Sequence, residues 1–146
     1  RAKPRDLCHM KHKILTHRDS YLIRINRGEE VIEELTNFCK TQNIASGALT
    51  GIGAADEIEL GHYSVETKEY SKKTFHGEHE VTSLIGIITD NKVHIHATIA
   101  DNQFNTFAGH LARMKISGAC EIWLTAGEEA VSRVKDDETR LELLGI

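Results

Sequence analysis

Two histidines stand two residues apart in Lys92-Val93-His94-Ile95-His96-Ala97-Thr98-Ile99-Ala100. Val93, Ile95, Ala97 and Ile99 alternate with His94, His96, Thr98 and Ala100, the period-two pattern of a strand with unlike faces. Both imidazoles therefore leave the same face, with Cα atoms about 6.5 Å apart at a rise of ~3.3 Å per residue. That spacing lets two ring nitrogens converge on one ion. His110, in Gly109-His110-Leu111, can supply a third imidazole from the next element. Three histidines with an open fourth position are the ligand set of many catalytic zinc sites. Imidazole also suits copper, nickel and iron, and availability favours zinc. The competing reading makes these histidines hydrogen-bonded polar residues lining a barrel interior or a subunit interface. A lone histidine would favour that reading, whereas the triad favours metal.

The elements that must position the triad follow from the hydrophobic pattern. Ser20 to Asn26 alternates Tyr21, Ile23 and Ile25 against Leu22, Arg24 and Asn26, a first strand. Arg24 needs a partner if buried and none if it faces solvent. From Glu29 to Gln42 the period changes to that of a helix. Val31, Ile32, Leu35, Phe38 and Cys39 form its apolar stripe. Glu29 and Glu30 lie near its positive end and Lys40 near its negative end.

In Gly51-Ile52-Gly53 a dinucleotide fingerprint would require a further glycine where Asp56 stands. The glycines are better read as permitting a bulge, a bend or close backbone approach in a curved sheet. Strands are expected over Glu57 to Ser64 and, as a long central run, His79 to Thr89, with a polar strand or edge hairpin over Lys68 to Phe75 between them. Asp90-Asn91 makes a short turn that pairs this run antiparallel with the histidine strand. Asp101 to Thr106 reads as a polar loop, suited to gating a ligand or contacting another subunit. Two more strands follow, Phe107 to Ser117 and Cys120 to Ala126. The tail from Glu128 is charged, with Leu141, Leu143 and Leu144 available to dock. The sum is a single α+β domain, a mainly antiparallel, barrel-like sheet with one principal amphipathic helix.

Length and composition fit that picture. A chain of 146 residues suits one domain and buries roughly 68–70% of its unfolded surface. No apolar run approaches the ~20 residues of a membrane span, so no membrane partner is expected. The N-terminus lacks the apolar core of a signal peptide, which makes the cytoplasm the default location. Residues 1–17 read as a basic, mobile N-terminal arm, leaving 18–146 as the domain. Cys8, His9 and His12 could grip a metal there, although incidental ligands on a tail are the commoner case. Cys8, Cys39 and Cys120 are odd in number and widely spaced, which excludes a disulfide framework and a Cys-x-x-Cys zinc motif. A formal net charge of −4, a pI near 6.1 and 5% aromatic residues disfavour direct DNA binding by this chain. Lys3-Pro4-Arg5 lacks the flanking pattern of a minor-groove hook.

Several segments in order resemble the PPC family, the domain conserved in plants and prokaryotes. They are Tyr21-Leu22-Ile23-Arg24-Ile25 with Gly28-Glu29-Glu30, Ser46 to Ala54, Ser83-Leu84-Ile85-Gly86, His94 to Asp101, Gly109-His110-Leu111 and Glu121-Ile122. The resemblance covers roughly Ser20 to Thr125. It implies a single-helix antiparallel fold, assembly as a homotrimer, and likeness in fold to acetolactate decarboxylase, a zinc lyase. Carried over by position, it places a metal on His94, His96 and His110. Plant members generally lack these histidines, carry AT-hooks, and bind partners through a Gly-Arg-Phe-Glu-Ile-Leu segment. Here Gly77 to Thr82 keeps only the glycine and Glu80 identical, with Val81 conservative, so the prokaryotic branch fits better.

Two functions are therefore expected. The lead is a homotrimeric zinc-binding module with a regulatory, DNA-associated or interaction role, reaching DNA through a protein partner. The alternative is a zinc-dependent lyase or hydrolase acting on a small carbonyl or carboxylate substrate. Its candidate catalytic residues would be Glu80 and Arg24, facing an open metal position in a cleft. Glu80 could equally accept a hydrogen bond from a ligand histidine or form a trimer contact. Asp101 could orient a ligand histidine or cap its loop.

Overall fold

The computed structural model describes residues 11–15 and 19–146. Alternation of apolar and polar residues produces the strands β1 (Lys11–Leu15), β2 (Ser20–Asn26), β3 (Ser46–Ser64), β4 (Glu69–Thr89), β5 (Lys92–Ala100) and β6 (Thr106–Ala126). They make one antiparallel sheet in the order β1-β2-β6-β3-β4-β5, with β5 returning to pair with β6. Strands β3 to β6 thus close a ring. The sheet is barrel-like, as expected, a ring and not a full barrel because of the short β5. That strand covers β6 only from Thr106 to His110, while β2 takes Ala119 to Thr125. Lys11–Leu15, within the expected arm, pair with β2 as an edge strand. Cys8, His9 and the Lys3-Pro4-Arg5 segment lie outside the described residues.

Two pairs of expected strands are in fact single long ones. Lys68–Phe75 and His79–Thr89 merge into β4, passing through Gly77 at φ 88°, a left-handed conformation natural to glycine. Phe107–Ser117 and Cys120–Ala126 merge into β6. The glycine-rich segment is the first half of β3, and its register shifts between Gly51 and Gly53 as a bulge. A side chain on either glycine would meet a carbonyl of β6, Glu121 or Ala119. Of the bulge, bend or close approach expected here, the structure shows the bulge and the close approach of β6.

The expected helix is α1 (Val31–Thr41), which buries Val31, Leu35, Phe38 and Cys39. Its cap does double duty. The Glu30 carboxylate accepts hydrogen bonds from Ile32 N and Glu33 N, and also from Met114 N of β6 at 2.8 Å. One acidic side chain thus satisfies orphan amides of the helix end and fixes the helix to the sheet. The helix stripe joins one core with Ile95, Ala97 and Ile99 of β5 and Leu111, Met114 and Ile122 of β6.

The opposite sheet face is unusual. Paired residues place Leu22, Trp123, Thr50, Ile85 and His96 in one row across β2, β6, β3, β4 and β5. All of these side chains are exposed, Ile85 at 63% and Trp123 at 48%. Ile87, opposite His94, and Ile52 extend the apolar stripe. After β6 the chain forms a hairpin of β7 (Arg133–Lys135) and β8 (Glu142–Leu144). Leu141 is half-buried, while Leu143 and Leu144 stay exposed, so only the first of the expected docking leucines packs down. Among the described residues no helix is long and apolar enough to cross a membrane.

Candidate metal centre

The strand β5 sorts its residues by face. Ile95, Ala97 and Ile99 enter the core, which forces His94 and His96 outward. Across the ring closure His96 pairs directly with His110 of β6. The imidazole centroids lie 5.3 Å apart for His94 and His96, 4.9 Å for His94 and His110, and 5.7 Å for His96 and His110. One nitrogen from each ring falls within 4.8 Å of the others. A tetrahedral zinc with bonds of ~2.0–2.1 Å places its nitrogens roughly 3.3 Å apart. Small ring rotations therefore close the triad around an ion. The donor set fits a borderline-soft divalent metal.

The local electrostatics favour neutral rings. Burial lowers the pKa of His94 to about 4, with the positive charges of His110, Arg133 and His96 adding to it. His110 is lowered as well, by burial first and then by His96 and Lys72. Neutral imidazole is the form that binds metal, and the lowering at His94 and His110 favours it.

The triad lines a cavity of about 830 Å³. Val65, Tyr63, Tyr70 and Leu141 give it apolar walls, and Lys92, Asp90, Arg133 and Glu142 give it charge. The Tyr70 ring meets His110 edge-on at 6.0 Å. It can do so because residue 61 is glycine, where a Cβ would overlap the Tyr70 hydroxyl. Arg133 reaches in from β7, its Nη2 lying 3.2 Å from His94 Nδ1. Its Nε donates to Thr89 Oγ1 at 3.0 Å and its Nη1 to the Glu142 carbonyl at 2.8 Å. No motif in the sequence singles out Arg133, Tyr63 or Tyr70. Arg133 is one cation in a charged tail, and no periodicity there signals a cavity-facing residue.

Arg24 and Glu80 lie away from the triad. Arg24 is exposed, donates to Asn26 Oδ1, and sits in a separate cleft with Lys11, Arg27 and Glu29. Glu80 is exposed opposite Ala100 and shares a groove with Ile52 and Glu121. Asp101 caps its loop, accepting from Gln103 N and Asn105 N at 2.9 Å. The hydrogen bonds from Asn105 hold its carboxyl below the usual range.

Comparison with known proteins agrees with this architecture. A protein from Bacteroides thetaiotaomicron, described as a candidate DNA-binding protein, is 30% identical with a TM-score of 0.86, over 92% of this chain and 96% of that one. A metal-containing protein from Archaeoglobus fulgidus is 27% identical with a TM-score of 0.78, over 92% and 96%. A Staphylococcus aureus protein similar to alpha-acetolactate decarboxylase shares the fold at 11% identity and a TM-score of 0.53, over 73% and 52%. The bifunctional protein GlmU of Synechococcus sp. (strain JA-3-3Ab) is 28% identical over 109 residues, 73% of this chain. The chain spans only 16% of that curated relative's length. Residues 14–128 match the model of the Plants and Prokaryotes Conserved (PCC) domain, and the chain belongs to that family.

Proposed function

We propose that this chain is a homotrimeric metal-binding module that holds zinc on His94, His96 and His110 and serves a regulatory or interaction role. The observation that carries the reading is the convergence of three ring nitrogens within 4.8 Å on one outer sheet face. The metal-containing relative from Archaeoglobus fulgidus supports it. Trimeric assembly comes from the family resemblance, and the outer stripe of Leu22, Trp123, Ile85 and Ile87 offers a surface for it. An exposed contiguous apolar stripe on a sheet is the usual mark of an interface. The candidate DNA-binding relative suggests a DNA-associated setting. With a net charge of −4, this chain would reach DNA through a protein partner.

A second reading, a zinc-dependent lyase or hydrolase for a small carbonyl or carboxylate substrate, is favoured by one observation. The cavity opens at the triad and has the volume of a small-molecule site. Zinc there would act as a Lewis acid or supply hydroxide at neutral pH. Arg24 and Glu80 do not line that cavity in the single chain, so Arg133, Tyr70 and Tyr63 are the groups that would touch a substrate.

Metal analysis of the purified protein, paired with His94→Ala and with sedimentation, tests both readings. Stoichiometric zinc in the wild type, lost in His94→Ala with the trimer intact, is the expected result. A wild type without metal overturns both.

A further inference from the structure

Arg133 holds an arrangement that its present contacts do not explain. It is half-buried at the cavity wall, yet the ion pairs among the described residues are Lys72 with Glu59 and Arg113 with Glu57. Among the described residues no carboxylate therefore pairs with Arg133. Its three hydrogen bonds go to neutral acceptors, the Thr89 hydroxyl, the Glu142 carbonyl and the His94 ring. A guanidinium carries about five N–H donors, so part of the fork is left for another acceptor.

The contact with His94 is informative because arginine can only donate. His94 Nδ1 must accept, so it keeps its lone pair and the ring proton sits on Nε2. That hydrogen bond is incompatible with metal binding through either nitrogen. If the metal takes Nδ1, the lone pair is gone. If it takes Nε2, the proton moves to Nδ1 and faces a donor. Loading the triad therefore releases Nη2 beside the metal. It also adds two positive charges to a cavity whose fixed charges, Lys92 and Arg133 against the exposed Asp90 and Glu142, otherwise balance.

The geometry points to Arg133 as the anchor for the carboxylate of a small ligand bound next to the metal. This rests on the metal reading above and adds a ligand class and a residue to it. The fork of a guanidinium matches a carboxylate in two-point geometry. Val65, Leu141 and the two tyrosines suit a short apolar body behind that carboxylate. Metal and carboxylate then bind cooperatively, since each favours the Arg133 position that the other needs, and the coupling is reciprocal.

Calorimetric titrations of zinc, and of butyrate into the zinc-loaded trimer, test this in wild type, Arg133→Ala and Arg133→Lys. Butyrate is expected to bind about tenfold or more weakly in both variants, as loss of a charge-assisted fork implies. Zinc is expected to bind more tightly in Arg133→Ala, because a competing donor and a like charge are gone. Loss of structure alone would weaken both ligands. If Arg133→Ala loses the β7–β8 hairpin, Arg133→Lys, which keeps the charge but not the fork, decides the matter. Zinc uptake with butyrate affinity unchanged in the variants overturns this proposal alone, as does inorganic phosphate binding more tightly than butyrate. No zinc uptake by the wild type overturns the metal reading and this proposal together.

Discussion

His96 and His110 face each other directly across β5 and β6, the strand pair that closes the ring. The third candidate ligand therefore depends on register. A slip of one residue would turn His110 into the core and Leu111 outward. The triad is a consequence of ring closure as much as of any local motif.

His110→Ala and His96→Ala should each abolish stoichiometric metal binding while leaving the fold intact. Neither ring is fully buried, and surface substitutions of this kind usually shift stability by less than about 0.5 kcal/mol. Elemental analysis with a thermal melt checks both halves of the statement. A mutant that keeps full metal would remove that histidine from the site.

Metal should be released on acidification. His94 has its pKa lowered from 6.5 to about 4 in the folded chain, and His110 is lowered too. A depressed histidine favours folding above its unfolded pKa, and that contribution is lost as pH falls through the folded value. Apo stability should therefore decline between about pH 6.5 and 4. Bound metal competes with the same protons and shifts the decline to lower pH. Melts at stepped pH, with and without zinc, test the direction; apo stability rising on acidification would contradict it.

The outer apolar stripe should govern assembly without supporting the monomer fold. Ile85→Lys, alone or with Trp123→Glu, is expected to lower the oligomeric state and leave the far-ultraviolet circular dichroism unchanged. Both side chains already stand in solvent in the single chain. Sedimentation at several concentrations gives the answer, and an oligomeric state unchanged from wild type would remove this stripe as the interface.

Ile95 lies between His94 and His96 and points the other way, fully buried. Ile95→Ala should cost about 2–5 kcal/mol of stability through lost burial and a cavity. Ile95→Val should cost only about 0.5–1.5 kcal/mol. Urea denaturation of the metal-free protein separates these two figures.

Cys39 and Cys120 should resist thiol reagents in the native state. Burial pushes their pKa up to about 11 and about 12, so almost no thiolate forms at pH 8. Peptide mapping after alkylation, native against denatured, reads this out. Fast native labelling of either would mean that the core opens locally.

Much of this was legible in the chain itself. Period-two alternation fixes which face His94 and His96 share, because successive strand side chains must point to opposite sides. The helical stripe from Val31 to Cys39 and the close-approach glycines at 51 and 53 are equally local, set by Cβ geometry and apolar spacing. A polar residue at a strand end says little about its neighbours, however. Glu80 and Arg24 were candidates by type, but their distance from the triad depends on which strands pair. The tertiary structure alone decided the register that places His110 opposite His96 and the joining of Phe107–Ser117 with Cys120–Ala126 in one strand. It also brought Arg133 from 39 residues away to His94. The physical reason is the same in each case. Strand pairing and the packing of a terminal hairpin are contacts between segments distant in sequence, fixed by the burial of the whole core and not by the pattern within any one segment.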